Sequence, residues 1–485
     1  MRKFLFLGAF IFFLIRIISI TVLPIFNDEG IYLTWGGRLL EEYDEGKIFI
    51  SLDGKQIGTP ILFGLSQYLP FDPLTNGRLV SVFFSLITYF SILIISKKYL
   101  GTKNILPIIL LLTFNSYLLL YDRLALPDAI VTAFYSLAFL LVYRLRDRFN
   151  IKVSIMLGII IAAGWYVKST ILLFFIPLCI FYLLSFIKEK ILRKRIIVSL
   201  GVILLSFYIL ILPHLEHPLY KNKPHVEYER FLSLKEVSNI PYQIWFTNFS
   251  QVVLLIFSYA TPLVFLIFIA AIFYARKNKK ILLPMLFVLG PIIFEILMLR
   301  NIDARYLVVS VPVILLVAGN LLEASTLKRK VLTALTLTGV ICSGLLLTFF
   351  PLKYHQMIYF IPNARNDFAQ YVTSWPSGYG VKEAADWLTQ KSQEKNMFVF
   401  IRDDSGNPEE AMVVYLRKNE KIIVLPVGLL DELYKNRDHL ILSDPGFYFV
   451  SRGNQLAGME KRFREVARYP KPQGQEYVGI YEVIK

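Results

Sequence analysis

Two adjacent carboxylates, Asp28 and Glu29, follow the first long apolar stretch of the sequence. They lie within a few residues of that stretch, and they cannot be core residues of a lipid-facing helix. One interpretation is a solvated helix N-terminus, where acidic side chains complement the helix dipole. The other is catalysis, because a carboxylate held near an apolar surface is suited to accept a proton as a general base.

Two more acids and an arginine occur farther along the chain. Asp122 and Arg123 stand between two apolar stretches, and Asp128 lies inside the second of them. An ionisable group inside such a stretch usually faces the protein interior or a cavity. For Asp122 and Arg123 an exposed ion pair is a simpler interpretation, and such a pair contributes little to stability.

Three cations complete this set of charged residues. Lys168 interrupts an apolar region, and Arg300 and Arg305 flank a tight turn between two others. Lys168 could extend to the membrane interface. All three also suit a lipid phosphate, since arginine engages two oxygens at once. An acid near one rim of the membrane domain and cations near another could support the displacement of a phosphate leaving group by a hydroxyl. The acid, as a base, would accept the hydroxyl proton, and the cations would stabilise the charge that develops on the phosphate.

Membrane-spanning helices must position these residues. Of the 485 residues, 55% are hydrophobic, whereas a soluble domain has about 45–50% apolar residues. A spanning helix needs about 20 apolar residues, and the sequence predicts about eleven spans on that basis. They lie near Met1–Pro24, Leu79–Ser96, Ile105–Tyr121, Leu126–Tyr143, Val153–Val167, Thr170–Ile187, Ile196–Leu212, Ile244–Tyr274, Ile281–Leu299, Tyr306–Leu322 and Val331–Phe350.

Basic residues mark every second loop and predict the orientation. The clusters lie at 97–103, 144–152, 188–195, 276–280 and 328–330, on the side of Arg2 and Lys3. Cytoplasmic loops carry an excess of lysine and arginine, which predicts a cytoplasmic N-terminus in the plasma (inner) membrane. The same distribution explains the formal net charge of +16. It argues against a nucleic-acid partner, which requires a basic face.

The first outer loop, residues 25–78, has its own predicted helices. Apolar residues from Ile31 to Tyr43 recur at helical spacing beside the acids of Glu41–Glu45. This pattern is typical of an amphipathic helix lying in the membrane interface. A second apolar piece, Ile61–Leu69, follows Pro60 and could lie flat beside the first.

The tail differs in composition, with more charge and shorter apolar runs. The sequence predicts helices at Val381–Gln390 and Glu409–Arg417, and strands at Met397–Ile401, Ile422–Pro426, Phe447–Ser451 and Tyr477–Ile484. Alternating strands and helices indicate a small α/β domain. It has no glycine-rich phosphate loop, and we expect a cap or an acceptor-docking module. The predicted fold class is mainly α, with a transmembrane domain at 1–350 and an extracytoplasmic α/β domain at 351–485.

Short motifs along the chain share their order with one family. They are Asn27–Tyr32 in the first outer loop, Gly58–Leu62 and Gly77–Leu79 after it, Arg123–Asp128, Gly164–Lys168, Ala304–Leu307 with Pro312 after it, and Trp375–Ala385 in the tail. In this order they resemble the GT-C class of integral-membrane glycosyltransferases, especially the protein O-mannosyltransferase and lipid A aminoarabinose transferase branch. Thr59 departs from the branch, which has a proline there. The resemblance covers about residues 1–330, and the tail weakly.

The resemblance implies an inverting glycosyltransferase that moves a sugar from a polyprenyl-phosphate donor to an acceptor hydroxyl on the outer face of the membrane. The acceptor would be a protein, a lipid or a polysaccharide. Asp28 would be the catalytic base, with Glu29 supporting it or contacting substrate. The residues implied for the donor phosphate are Lys168, Arg300, Arg305 and Tyr306, and those implied for positioning the loop or the substrate are Asp122, Arg123, Asp128 and Arg78. Members of the class differ in metal use, and the cofactor is left unknown.

Other classes remain open. A ligase or polymerase would transfer a preassembled glycan from a diphosphate carrier, and the loop with His214, His217 and His225 is a modest candidate for its outer loop. A transporter of lipid-linked sugars often has internal repeats and helices broken at the membrane midplane. We see no repeat, and the charged residues cluster at the outer rim. The intact Asp28-Glu29 pair argues against a noncatalytic lipid-binding relative.

Overall fold

The computed structural model of the chain describes residues 2–41, 56–221, 230–275, 278–322, 327–359, 364–402, 406–436, 445–453 and 462–484. These residues form a helical bundle with one small β-sheet near the C-terminus. The α-helices are Arg2–Ile17, Asn27–Glu41, Gly58–Ser66, Pro73–Ile94, Leu106–Phe114, Ser116–Asp122, Pro127–Asp147, Ile151–Val167, Phe175–Lys188, Arg193–Glu216, Pro218–Lys221, Leu234–Ser238, Tyr242–Tyr259, Pro262–Tyr274, Leu282–Met298, Ala304–Leu307, Val311–Leu321, Leu327–Phe349, Pro351–Ile358, Ala364–Phe368, Val381–Lys391, Glu409–Leu416 and Leu430–Lys435.

The predicted mainly helical membrane fold is confirmed. By length and composition, seven helical stretches among the described residues could cross a membrane: Pro73–Leu100, Pro127–Asp147, Ser169–Lys188, Lys190–Glu216, Lys279–Met298, Ala304–Leu321 and Leu327–Phe349. Three further apolar helices are shorter: Leu5–Ile17, Ile151–Val167 and Pro262–Tyr274. The number of about eleven spans stays a prediction. Most predicted bounds differ from the observed ones by a few residues, and three predicted spans are shortened or interrupted.

The first helix is shorter than the predicted span Met1–Pro24. It ends at Ile17, and Ser19 has a φ of 54°. Two arginines from other parts of the chain satisfy the carbonyls beyond the helix end. Arg123 donates to the carbonyls of residues 18 and 19, and Arg78 to those of residues 20, 23 and 24. Because a backbone group without a partner is costly where water is scarce, these contacts allow the chain to turn towards Asp28.

Two other predicted spans are interrupted. The span predicted at Ile105–Tyr121 breaks at Asn115, which has extended backbone angles. The span predicted at Ile244–Tyr274 breaks at Ala260–Thr261, just before Pro262. Proline has no backbone N–H to continue the helical hydrogen bonds, which explains the second break.

The two interruptions face each other, and side chains at the first one satisfy backbone carbonyls at the second. Asn115 Nδ2 donates to the carbonyl oxygen of Ala260 at 3.2 Å, and the Ser116 hydroxyl donates to that of Tyr259 at 2.8 Å. Side chains thus replace the helical hydrogen bonds that the breaks remove. This is how irregular backbone is tolerated inside a bundle.

Residues 25–78, predicted to be the first outer loop, contain the predicted amphipathic helix, and the second apolar piece is also helical in part. The helix Asn27–Glu41, which we call the loop helix, packs against the helix Gly58–Ser66. They approach closely at Gly36 and Gly64, where a Cβ on Gly36 would lie 2.5 Å from the backbone nitrogen of Gly64. The predicted members of the loop-helix pattern beyond residue 41, including Tyr43 and the acids up to Glu45, lie outside the described residues.

The tail contains a five-stranded sheet in the order β2-β1-β3-β5-β4. The strands are β1 (Met397–Ile401), β2 (Ile422–Pro426), β3 (Gly446–Arg452), β4 (Phe463–Pro470) and β5 (Tyr477–Val483). β1 pairs in parallel with β2 and β3, and β5 pairs antiparallel with β3 and β4. The predicted strands and the helices at 381–391 and 409–416 are confirmed. The sequence analysis misses β4, an edge strand whose alternating charges weaken its apolar pattern.

The helical layer of this sheet shares a core with the first outer loop. Val381, Leu388 and Met412 are buried in one cluster with Leu33 of the loop helix and Phe63. The Thr34 hydroxyl also donates to the carbonyl oxygen of Glu410 at 3.1 Å. The tail therefore packs directly on the helix that carries Asp28.

Candidate active site

Asp28 lies in the first turn of the loop helix and forms an ion pair with Arg305. Arg305 Nη1 donates to one carboxylate oxygen, and Asn27 Nδ2 donates to the other at 3.0 Å. The side chains of Arg305 and Asp28 are 23% and 22% exposed, respectively. The structure thus brings together the predicted base and one predicted cation, which are far apart in the sequence, at a site that solvent can reach.

Glu29 has a different environment from its neighbour. Its carboxylate is fully buried and accepts from Arg78 Nε at 2.8 Å and from Arg78 Nη2 at 2.6 Å. The backbone N–H groups of Ala125 and Phe26 donate to it at 2.6 Å and 2.8 Å. Four donors satisfy this carboxylate, which places Glu29 and Arg78 in a structural contact that joins the loop helix to the bundle.

Asp122 and Arg123 are also buried, and they bind different partners. Asp122 accepts from Arg16 Nε at 2.9 Å, and Arg16 further donates to three backbone carbonyls. Arg123 donates to the carbonyls that follow the first helix. Both residues therefore lie where they can position the first outer loop, and the interpretation as an exposed ion pair is wrong.

Lys168 and Asp128 form a second acid–cation pair near the first. Lys168 Nζ lies 2.7 Å from Asp128 Oδ1, and it lies 5.7 Å from the ring centroid of Tyr306. Lys168 directly follows the helix Ile151–Val167, and Asp128 lies in the first turn of the helix Pro127–Asp147. Asp128 is buried, as expected for an acid inside an apolar stretch.

Arg230 joins this group, and the sequence analysis missed it. Its Nη1 donates to the Tyr306 hydroxyl at 2.8 Å. Arg300, by contrast, forms an exposed pair with Glu236 at 2.8 Å and lies outside the group. Only the backbone of Arg300 contacts Arg230, through a 3.0 Å hydrogen bond. The position of Arg230 at the end of a charged loop gave no separate indication of its role.

A cavity of about 390 Å³ opens beside these cations. It is lined by Lys168, Ser169, Thr170, Leu172, Leu173, Ile176, Arg230, Phe231, Phe294, Glu295, Leu299 and Tyr306. Two cations and the Tyr306 hydroxyl form one polar part, and leucine, isoleucine and phenylalanine side chains form most of the rest. Such a lining suits an amphiphile with an anionic head and an apolar tail.

Two further ionisable residues border the group, and the sequence analysis did not select them. Tyr32 lies one turn after Asp28 in the loop helix, and burial together with the negative charge of Asp28 raises its pKa well above the usual value. Burial raises the pKa of Asp367 to about 7, although Tyr259 donates to its carboxylate at 2.5 Å. Asp367 therefore changes charge near neutral pH, close enough to Arg305 to interact with it electrostatically.

The described residues contain no group of three or more histidine, cysteine, aspartate or glutamate side chains that could hold a metal ion. His214 lies among aromatic rings, with ring centroids 5.3 Å from Trp165 and 4.4 Å from Tyr220. His225 lies outside the described residues. The cofactor stays unknown.

The tail holds the segment that leads into the loop helix. Asn407 Nδ2 donates to the carbonyl oxygens of Ile25 at 3.0 Å and Pro376 at 2.8 Å. The backbone N–H of Asn27 donates to the same Pro376 oxygen at 3.0 Å. Asn407 is fully buried. The tail thereby helps to fix the position of Asp28, a role that the sequence analysis did not anticipate.

Comparisons with known proteins agree with the motifs. A family model described as dolichyl-phosphate-mannose-protein mannosyltransferase matches residues 58–217. The chain is similar in structure to ArnT from Cupriavidus metallidurans bound to undecaprenyl phosphate, with a TM-score of 0.63 at 12% identity, and to the same protein in the apo state, with 0.62 at 13%. Both comparisons cover 99% of this chain and 98% of the other. No curated protein matches the chain.

The family model and the fold together confirm the resemblance to the GT-C class that the sequence motifs indicate. The likeness in fold extends over almost the entire chain, including the tail.

Glu29→Gln tests the structural contact with Arg78. We expect the free energy of unfolding to fall by about 3–5 kcal/mol, because the change leaves a buried guanidinium without a charge partner. Thermal unfolding in detergent measures the loss. Glu236→Gln is the matched control, because it removes the exposed pair with Arg300 and should leave the midpoint unchanged. Equal midpoints for the two variants would contradict the assignment.

Asn407→Ala tests whether the tail holds the segment before Asp28. The substitution removes the Asn407 donor from the buried carbonyl of Ile25, which costs about 1–3 kcal/mol, whereas the Pro376 carbonyl keeps the Asn27 N–H. We expect faster amide hydrogen exchange in residues 24–30, measured by mass spectrometry. Asn419→Ala, which removes a half-buried side chain of the same domain, should leave exchange in that segment unchanged. Unchanged exchange in Asn407→Ala would show that the tail does not hold the segment.

Proposed function

We propose that the chain is an inverting glycosyltransferase that moves a sugar from a polyprenyl-phosphate donor to an acceptor hydroxyl on the outer face of the membrane. The observation that carries this proposal is the convergence of Asp28 with Arg305, Lys168 and Arg230 beside a largely apolar cavity. The match to the mannosyltransferase family model supports the same class of reaction. The fold likeness to a protein solved with undecaprenyl phosphate supports the same class of donor carrier.

The donor would bind with its phosphate at the polar part of the cavity. Lys168 and Arg230 supply two cations, and the Tyr306 hydroxyl supplies a further hydrogen-bonding group. The first prenyl units would lie along Leu172, Leu173 and Ile176 in the apolar part. Ionic hydrogen bonds to phosphate are stronger than neutral ones, while the apolar wall favours the lipid tail over a soluble sugar phosphate.

The reaction would be a single displacement at the anomeric carbon. Asp28 takes the proton of the acceptor hydroxyl while the hydroxyl oxygen forms a bond to the anomeric carbon. The bond between the anomeric carbon and the phosphate oxygen breaks, and its electron pair stays on the phosphate. Arg305, Lys168 and Arg230 stabilise that charge, since preorganised cations act most strongly in a site that excludes water. Attack opposite the leaving phosphate inverts the anomeric configuration.

The remaining predicted residues would position this apparatus. Glu29 and Arg78 fix the helix that carries Asp28, and Asp128 fixes Lys168 at 2.7 Å. Asp122 binds Arg16 of the first helix, and Arg123 binds the segment between the first helix and the loop helix. Arg300 would act at most at the rim, because its guanidinium pairs with Glu236 outside the cavity.

The central test is transfer of label from polyprenyl-monophosphate sugars to a membrane extract, with protein in nanodiscs. We expect the wild type to transfer, and Asp28→Asn to lower turnover by about 10²–10⁴-fold, the usual cost of losing a general base. Glu236→Gln, an exposed acid on the same face, is the control and should transfer at the wild-type rate. Transfer by Asp28→Asn at the wild-type rate would remove this residue from the mechanism. Transfer only from diphosphate-linked glycans would instead support the ligase.

The phosphate assignment is tested by binding of undecaprenyl phosphate to the purified protein. Lys168→Ala and Arg230→Ala should each weaken binding by about tenfold or more, because a hydrogen bond to a charged group is worth about 1.5–3 kcal/mol. The control is Lys235→Ala, an exposed lysine in the nearby helix Leu234–Ser238. If the control weakened binding as much as the two variants, the effect would reflect general surface charge and the assignment would be wrong.

A further inference from the structure

Glu295 is a buried acid that neither the motifs nor the proposed steps use. It lies one turn before the end of the helix Leu282–Met298 and is the only ionisable residue in that helix. Its side chain is 3% exposed and lines the same cavity as Lys168 and Arg230. Among the described residues, no side chain or backbone group forms a hydrogen bond or ion pair with its carboxyl group. An ionisable group in a membrane-spanning helix usually has a functional role.

The groups around Glu295 are engaged elsewhere. Lys168 is close enough to interact with it electrostatically, but it bonds to Asp128 at 2.7 Å. Arg230 and Tyr306 bond to each other at 2.8 Å. The two nearby tyrosines of the core donate to backbone carbonyls, Tyr117 to Ala304 and Tyr135 to Phe287. None of these groups donates a hydrogen bond to the carboxyl group of Glu295, and a charge in an apolar site is costly without such a donor.

A neutral carboxylic acid in a lipid-phosphate cavity can donate its proton. The donor is a phosphate diester with one negative charge, and the departing polyprenyl phosphate would carry two if no proton reached it. A second charge is costly in an apolar cavity. Glu295 is the carboxylic acid among the lining residues. It can deliver a proton without losing a cation, and it is a stronger acid than the phenol of Tyr306.

We propose that Glu295 is the general acid of the transfer, which donates a hydrogen bond to the donor phosphate and protonates it as the sugar leaves. This inference rests on the proposed function and extends it. The O–H bond of Glu295 breaks and an O–H bond forms on the phosphate, which leaves as a monoanion. The resulting carboxylate lies near Lys168. Asp28 takes one proton and Glu295 gives one, so the net charge of the site is conserved, and water resets both groups after product release.

The test compares Glu295→Gln and Glu295→Leu in the nanodisc transfer assay over a range of pH. Glutamine keeps the shape and a hydrogen-bond donor but has no proton to give. We expect Glu295→Gln to bind undecaprenyl phosphate nearly as well as the wild type, while kcat falls by about 10²-fold or more. The fall of wild-type activity at high pH, where Glu295 loses its proton, should be absent in this variant. Glu295→Leu should lose both binding and turnover.

Each outcome is decisive. Wild-type kcat and an unchanged pH profile in Glu295→Gln would overturn the inference and leave the proposed function intact. Turnover in Glu295→Gln that falls only as far as its affinity falls would indicate a binding role and also overturn the general acid. A wild type that transfers no sugar from any polyprenyl-phosphate donor would overturn the proposed function itself. Glu236→Gln controls for the loss of an acid, and the glutamine variant keeps the test valid if Glu295→Leu does not fold.

Discussion

The buried ion pair between Glu29 and Arg78 is the contact on which the candidate site depends. The carboxylate of Glu29 accepts from Nε and Nη2 of Arg78 and from two backbone N–H groups. The same guanidinium satisfies three carbonyls beyond the first helix. Consecutive residues of a helix point about 100° apart. Once Glu29 is fixed inside, Asp28 is directed to the other side, towards Arg305. Two adjacent acids therefore have different environments, and environment separates the roles of carboxylates.

Two cations of the site are paired with acids before any ligand binds. Asp28 holds Arg305, and Asp128 holds Lys168. Paired in this way, the cations stay in position without the full cost of an isolated buried charge. An incoming phosphate would then share these cations with their acids. The tail packs on the loop helix, and Asn407 donates a hydrogen bond to the segment that enters this helix. Its contribution to the proposed reaction would be to fix the base, in addition to any contact with the acceptor.

The sequence was informative where the pattern is local. The strands of the tail match their predicted bounds closely because each is a short apolar run between turn residues, whereas β4 has alternating charges and was missed. Asp28, Lys168 and Arg305 were all selected because charge is rare beside long apolar runs. Their pairing was not predictable, since Asp28 and Arg305 are joined only by the fold.

Nonlocal contacts explain the other differences. The first helix ends at Ile17 because arginines from two other parts of the chain satisfy the carbonyls beyond it. The break at Thr261 is stabilised by Asn115 and Ser116, whose side chains donate to the carbonyls of Ala260 and Tyr259. Arg230 and Glu295 were not predicted, for opposite reasons. Arg230 is one of many charged residues in its loop, and Glu295 is a single charged residue in a long apolar run. Only the cavity reveals that both face the same space.

The most direct measurement is a structure of the chain in nanodiscs with bound undecaprenyl phosphate. We expect phosphate oxygens within hydrogen-bonding distance of Lys168 Nζ and the Arg230 guanidinium, with the prenyl chain along Leu172 and Ile176. Asp28 should lie open to solvent on the side of the phosphate where an acceptor can approach. A phosphate bound elsewhere, with this cavity empty or filled by an ordinary lipid tail, would contradict the account.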